Sequence, residues 1–495
     1  MQYLAGIDQG TTMTKALIVT PDGRIVGQAS AKLTQHYPRP GWVEHDPLEI
    51  ERLCRTVFAE ALRDADVSAL QVAALGIANQ RETLTFWRRA TGEPVGRSIV
   101  WQDRRTLGIC EELIRRDGDG ILDHTGAAIV PNAAGTKIRW VLENDSEVRE
   151  GVERGDIVCG TIDSWIAWRL SGGRIHATDT SNASVTLLLD ARTRQYSPRM
   201  LAELGIPESV LPKVVDTIGV VGVTDPDVLG AAIPIGALAG DQTAAAFGQA
   251  CLRPGMVKST YGTGSFLVMN TGAEYVSPKE GVMAPVLWSA GGAATYGLEG
   301  YADVAGAAIE WLRDGLHLIG HASEVDALAA EAPDNGGVVF IPAFAGLGSP
   351  HFDSYARGTI LGLTRGSGPA QIARAALEAI AHQVADALDV IGETSGIAPT
   401  VLRVDGGASR SDLLMQIQAD MLGIPVERPA VTETTGWGAA LLAGVAVGVI
   451  SGTNAVADLW HLERRFEPLI GDSHRRDNRE LWQRAIEHSS GWLRR

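Results

Sequence analysis

An α/β chain folded as two related lobes is what this sequence predicts, and three observations carry the prediction. A strand, a short turn of glycine and hydroxyl residues and a returning strand open the chain at Tyr3 to Thr20, and a hairpin of similar form recurs at Val257 to Asn270. Apolar β-type runs alternate with helical stretches through both halves. The chain, at 495 residues, is also too long for one compact core, so two large domains are the natural expectation.

Taken in order, the first hairpin pairs Tyr3 to Ile7 with Lys15 to Thr20 across the turn Asp8-Gln9-Gly10-Thr11-Thr12, and Pro21-Asp22-Gly23 starts a third strand, Arg24 to Gly27. Glycine lets backbone come close to an anion, and exposed amides with threonine hydroxyls can cradle phosphate oxygens. A helix follows at Pro47 to Asp64. The strand Val72 to Ala78 runs into Asn79-Gln80-Arg81-Glu82, and Ile99-Val100-Trp101 runs into Gln102-Asp103-Arg104-Arg105. The apolar strand from Ile233 ends in Gly240-Asp241-Gln242 and feeds the helical Thr243 to Gly248.

A boundary falls near Gly248 to Pro254, giving domains of residues 1–248 and 249–495. The second begins with Gly255 to Tyr261 and Phe266 to Asn270 around the turn Gly262-Thr263-Gly264. Helices are expected at Val304 to His317, Ala370 to Glu393 and Ser411 to Leu422, the last placing Leu413, Leu414, Ile417 and Met421 on one face. Between Val401 and Leu422 the order is strand, Asp405-Gly406-Gly407, helix. Such a turn serves either as a tight connection or as a surface for a phosphate or flat ring. Two phosphate-type hairpins half a chain apart suggest lobes that grip one nucleotide.

Composition narrows the field. The 43 basic and 59 acidic residues give a formal charge of −16, which disfavours non-specific contact with nucleic acid or anionic membrane. Cys54, Cys110, Cys159 and Cys251 lie too far apart for a CxxC motif or a close zinc pair and read as reduced core residues. No basic run precedes the first apolar stretch, which argues against a signal peptide. The longest apolar run, Gly436 to Ile450, is 15 residues, short of the roughly 18 needed for a bilayer, and its Gly and Ala content fits a packed interior helix. A cytoplasmic protein without membrane insertion is expected.

Asp8 ends an apolar strand, where a carboxylate is costly unless a donor or a metal compensates it. It either caps its own loop or, with the Gly-Thr-Thr beside it, faces phosphate and a water-bridged magnesium ion. Lys15 is placed to reach phosphate oxygens or to stay solvated. Asp241, at the end of its strand, can accept a proton from an attacking hydroxyl. Arg81 and Glu82 set a donor fork beside an acceptor, a combination suited to adjacent hydroxyls of a polyol or to a surface ion pair. The sequence contains no HExxH, G-x-S-x-G or Walker A motif, which disfavours zinc hydrolysis, serine esterase chemistry and P-loop folds.

These residues resemble the FGGY carbohydrate kinases, and within them the glycerol kinases, nearly end to end. The segment Gly358 to Glu378 fits the family's C-terminal signature. Asp8 to Thr12, Gly41 to Pro47, Asn79 to Thr83, Trp101 to Thr106, Gly160 to Trp165, Gly240 to Gln242 and Tyr261 to Gly264 resemble the glycerol kinase versions. The resemblance implies an actin-like fold of two ribonuclease H-like lobes, with ATP and a small polyol meeting in the cleft. It implies Asp241 as general base, Arg81, Glu82, Trp101, Asp241, Gln242 and Phe266 as polyol contacts, and Asp8 with Asp241 as the magnesium pair. Thr11, Thr12, Met13, Lys15, Thr263, Gly306, Glu310, Gly407 and Ser411 fall at its nucleotide positions. A homodimer or homotetramer is implied by the same analogy.

Several departures from the family pattern bear on substrate. A tyrosine usually lines the polyol wall in the stretch that here reads Pro131-Asn132-Ala133-Ala134-Gly135-Thr136-Lys137, so Asn132 is expected to widen and re-polarise that wall. Met13, Thr14 and Lys15 stand where Ser, Ser or Thr, and Arg are usual, and Glu310 and Ser411 where Gln and Asn are usual. Val221 to Ala232 carries Asp225 and Asp227 with no Arg, Lys or His, so neither sugar-phosphate inhibition nor histidine phosphorylation is expected. Glycerol is the leading acceptor. Erythritol, threitol, erythrulose, dihydroxyacetone or xylulose is the alternative, and an actin-like ATPase or a polyol sensor without transfer is the more distant one.

Overall fold

The structure is a computed structural model and describes residues 2–351, 353 and 355–493. Its spine is one sheet of thirteen strands that divides into two like halves. In the first, Tyr3–Gln9 pairs antiparallel with Met13–Val19, which pairs antiparallel with Ile25–Lys32; on its other side Tyr3–Gln9 pairs parallel with Val72–Asn79, and that strand pairs parallel with Pro234–Gly240. In the second, Met256–Tyr261, Ser265–Gly272, Ala293–Ala302, Val401–Asp405 and Val426–Pro429 repeat the same order and directions. The halves meet where Ile218–Val223 touches Val286–Ala290 at the single register pair Ile218 and Ala290.

Local chemistry explains the elements that frame this spine. The helix Pro47–Asp64 has the bounds its sequence predicts: Asp46 accepts from the Leu48 amide at 2.9 Å, and proline occupies the first turn, where no amide partner is needed. The third strand runs further than expected, Ile25–Lys32, because Ile25 and every residue from Gly27 to Lys32 pair with Met13–Val19, with one irregularity at Val26. The helix expected over 304–317 is shorter, Gly306–Asp314. The helix of the C-terminal signature is Pro369–Ser395, and the last of the expected helices is Asp412–Leu422, where Leu414, Ile417 and Met421 are buried and Leu413 only partly.

Each half's fifth strand feeds a helix into the middle of the molecule, Asp241–Gly248 from the first and Thr434–Ala446 from the second. The second of these is the Gly-Ala-rich run of the sequence, and it lies on the first half's sheet. A Cβ at Gly6 would sit 2.0 Å from the Gly436 carbonyl oxygen and one at Gly76 1.9 Å from that of Ala439, so sheet and helix approach as closely as backbone permits. The two helices meet the same way: a Cβ at Gly438 would sit 1.9 Å from the Ala244 carbonyl oxygen. A smaller sheet of Glu44–His45, Ser98–Ile99, Leu84–Arg88 and Ile157–Thr161 flanks the first half. All four cysteines are buried and free, and among the described residues no helix is long and apolar enough to cross a membrane.

Candidate active site

Strand ends of both halves converge on Arg81. It follows the strand Val72–Asn79, and its guanidinium donates two hydrogen bonds to Glu299 of the second half, Nη1 to Oε2 at 2.7 Å and Nη2 to Oε1 at 2.5 Å. Its Nε lies 3.4 Å from Asp241 Oδ1. Glu299 is 2 % exposed and Arg81 10 %, whereas 31 % of the Asp241 side chain remains open. Gly240 makes this possible: a Cβ there would sit 2.6 Å from Arg81 Cδ.

Glu82 is held at φ +67°, a left-handed conformation that is strained for a residue with a side chain. Its carbonyl accepts from the buried Lys137 ammonium at 2.9 Å, and Lys137 also donates to the Asn132 carbonyl at 2.6 Å. Burial pushes the Glu82 carboxyl up and the Lys137 ammonium down, each opposed by the other's charge. Burial likewise raises the Asp241 carboxyl, against the attraction of Arg81 and Lys258. A carboxyl raised above its ordinary range that stays partly open to solvent is a candidate to accept a proton.

Trp101 follows the strand Ser98–Ile99 and meets Phe266, from the second hairpin, edge to face at 6.3 Å between centroids. Its indole Nε1 donates to Thr11 Oγ1 at 2.8 Å, so this aromatic pair touches the first hairpin turn. That turn closes through Gly10 N donating to Met13 O at 2.9 Å. Behind it stands a buried amide network: Gln80 Nε2 donates to Gln9 Oε1 and faces His45 Nδ1 at 3.3 Å, His45 Nε2 lies 2.9 Å from Gln35 Oε1, and Gln35 Nε2 donates to Thr11 O at 2.6 Å. Burial lowers the His45 pKa to about 4, so the ring is neutral and can accept on one nitrogen while donating from the other. The sequence stretches around His45 and Gln80 thus share one task, fixing the turn.

The second hairpin turn locks a helix start. Ala305 and Ala307 donate to the Thr263 carbonyl and Gly306 to that of Gly262, and a Cβ at Gly306 would sit 2.7 Å from the Gly262 oxygen. Gly407 begins a short 3-10 turn and would meet nothing within 4 Å if it bore a Cβ. Ser411 caps the helix Asp412–Leu422, accepting from Leu414 N at 2.9 Å, and donates to Asp326. Glu310 is exposed on Gly306–Asp314. Thr12 and Met13 lie at the first hairpin, where Lys15 pairs with Glu433 at 2.5 Å.

Asp8 lies one residue before the end of the strand Tyr3–Gln9, across the ladder from Lys15. Burial and the carboxylates of Asp241, Glu433 and Asp405 push it up to about 7 against the pull of Lys15. A carboxyl so crowded by its own sign fits a cation, and Asp8 and Asp241 offer the hard oxygens magnesium prefers. Among the described residues no three His, Cys, Asp or Glu side chains form a cage, and a magnesium ion that keeps water and phosphate ligands needs none.

Sequence reasoning missed Glu299 and Lys258. Lys258 is fully buried on Met256–Tyr261 and donates to Gln242 Oε1, while its charge acts on Asp241. Each is the lone charged residue of its strand, and that pattern is the signal, because an unpaired buried charge is prohibitive. Asn132 sits at the edge of the site, its Oδ1 accepting from Arg104 Nη1 at 3.3 Å.

Residues 3–248 match the N-terminal domain of the FGGY family of carbohydrate kinases and residues 257–447 its C-terminal domain. The chain belongs to this family. It is 49 % identical over 492 residues to a glycerol kinase of Nitratidesulfovibrio vulgaris, covering 99 % of each chain. It is 49 % identical to one of Aromatoleum aromaticum over 496 residues, covering 100 % of each. Among solved structures it resembles Plasmodium falciparum glycerol kinase with ADP, with a TM-score of 0.93 and 32 % identity over 99 % of this chain and 98 % of the other. A ligand-bound xylulose kinase of Lactobacillus acidophilus shares the fold, with a TM-score of 0.88 at 22 % identity. The two like half-sheets are therefore the paired lobes of the actin-like FGGY fold, and the chain is a phosphotransferase.

Proposed function

We propose that this chain transfers the γ-phosphoryl group of ATP to a primary hydroxyl of glycerol. The observation that carries this reading is the convergence on one spot of Arg81, Asp241 and the Trp101 and Phe266 rings with the first hairpin turn, the last linked through Trp101 to Thr11. The names of the relatives supply the acceptor.

Residues 1–248 act as the polyol lobe with the phosphate hairpin and the base, and residues 249–495 as the nucleotide lobe. Asp241 accepts the proton of the attacking hydroxyl. Arg81, held by Glu299, and Glu82 with Gln242 bind the hydroxyls, while Trp101 and Phe266 pack on the carbon chain and Asn132 borders it. Thr11, Thr12, Met13 and Lys15 form one phosphate cradle, with Thr263, Gly306, Glu310, Gly407 and Ser411 on the nucleotide side. Magnesium, held through Asp8 and Asp241, would supply positive charge against the phosphate oxygens. Closing the lobes excludes water and limits wasteful hydrolysis. The enzyme works in the cytoplasm, where ATP is supplied, as a homodimer or homotetramer.

The test is ADP release with Mg-ATP and glycerol for wild type and Asp241→Asn. The variant keeps its fold and ATP binding and loses at least about 10²-fold in turnover, the usual worth of a general base. Near-normal turnover removes Asp241 from the chemistry.

A further inference from the structure

The polyol wall lacks the tyrosine that the family usually carries at Asn132, yet a tyrosine stands close by on the opposite lobe. Tyr301 lies in the strand Ala293–Ala302, directly across the ladder from Phe266. Paired residues of an antiparallel ladder project to the same face, as do residues two apart on one strand. Tyr301 therefore shares its face with Phe266 and with Glu299, the partner of Arg81. The two rings stack at 6.1 Å between centroids with 26° between planes, so Trp101, Phe266 and Tyr301 run as a continuous aromatic band from the first lobe into the second. Gly348 leaves room for the ring: a Cβ there would sit 3.2 Å from Tyr301 Cε2.

Burial and the carboxylates of Asp303 and Glu82 raise the pKa of the Tyr301 phenol, and Arg104 opposes them. Arg104 is the residue that holds Asn132 and Glu82 follows Arg81, so the charges that act on the phenol belong to both the Asn132 edge and the candidate polyol contacts.

We propose that Tyr301 is a specificity-determining residue that closes the polyol wall from the second lobe and restricts the acceptor to three carbons. This rests on the glycerol kinase reading above. The wall is then completed only when the lobes meet, which couples acceptor length to closure. A pocket that gains or loses room for one carbon discriminates by about 10–200-fold.

The experiment compares kcat and KM for glycerol and for erythritol, at saturating Mg-ATP, in wild type, Tyr301→Phe and Tyr301→Ser. Tyr301→Ser is expected to lower the glycerol-to-erythritol ratio of kcat/KM at least about tenfold. Tyr301→Phe is expected to raise the glycerol KM about two- to tenfold, the worth of one hydrogen bond, with kcat and the KM for ATP unchanged. A merely structural role would lower the melting temperature and leave the ratio and the KM split where they were. An unchanged ratio in Tyr301→Ser with an unchanged glycerol KM in Tyr301→Phe overturns the proposal. If Tyr301→Ser does not fold, Tyr301→Phe decides alone. Wild type that turns over no polyol overturns the kinase reading instead, and Tyr301 is then tested by whether glycerol raises the melting temperature of wild type more than that of Tyr301→Phe.

Discussion

The indole Nε1 of Trp101 donates to Thr11 Oγ1 at 2.8 Å, joining a ring proposed to pack on the polyol to the hairpin turn proposed to cradle phosphate. Ring and hydroxyl lie 90 residues apart in the chain, so tertiary structure alone makes this bond, and under the proposed roles it sets the distance between acceptor and phosphate. Trp101→Phe keeps an aromatic face for Phe266 and removes the donor. The loss of a hydrogen bond of about 0.5–1.5 kcal/mol predicts a two- to tenfold fall in kcat/KM for both glycerol and ATP. A change confined to the glycerol KM would show that the indole N–H has no part in aligning the nucleotide.

Glu299 reaches Arg81 from the other lobe with both carboxylate oxygens. Removing one partner of a buried pair leaves the other charge uncompensated, typically at about 3–5 kcal/mol. In Glu299→Gln the guanidinium still has Asp241 3.4 Å away, so the cost is expected at or below the lower end of that range. That rescue draws Asp241 onto Arg81 and away from the acceptor. Thermal unfolding and steady-state kinetics together check it: both melting temperature and kcat fall, whereas Asp241→Asn lowers kcat with little change in melting temperature.

How much of this was legible in the sequence depends on how far away each residue's partner lies. The hairpins, the helix Pro47–Asp64 and the polar strand ends at Arg81, Trp101 and Asp241 were readable because turn residues, caps and alternation are local signals. Glu299 was not, since its partner is 218 residues away. The Gly436 to Ile450 run declared a buried helix, but periodicity does not say against which sheet, and it packs on the first lobe. The left-handed Glu82 and the neutral His45 behind the turn follow from surroundings that only the folded chain assembles. Tyr301 carried no motif at all, and its meaning comes from the ladder partner Phe266.

Gly240 ends the strand before Asp241, the proposed base, and a methyl group there would press on Arg81 Cδ at 2.6 Å and Cγ at 2.8 Å. Those atoms belong to a side chain pinned by Glu299, so the guanidinium cannot swing aside freely. Gly240→Ala is expected to displace the Arg81 fork and lower kcat/KM for glycerol by about 10²-fold, the usual penalty for a misplacement near 1 Å. ATP binding, followed by fluorescence or calorimetry, should be unchanged. Equal losses for both substrates would mean that the strand end itself has moved.

The pH dependence of acceptor binding should follow Glu82. Its carboxyl lies above the ordinary 4.5 because burial disfavours the charge, with Arg81 and Lys137 pulling the other way. Below its folded pKa the group is neutral; above it, in its proposed role, the carboxylate accepts from polyol hydroxyls, so glycerol binding should favour the ionised form and release a proton. The kcat/KM for glycerol is therefore expected to rise with pH on an acid limb whose midpoint lies above 4.5, then level off. Stability carries the opposite sign: a carboxyl raised on folding contributes fully below pH 4.5, and that contribution is lost as pH rises through the folded value. Profiles of wild type and Glu82→Gln measured against glycerol check the assignment. The limb should vanish in the variant; a limb that persists unchanged assigns the titration to another buried, raised carboxyl of the site, Asp241 or Asp8.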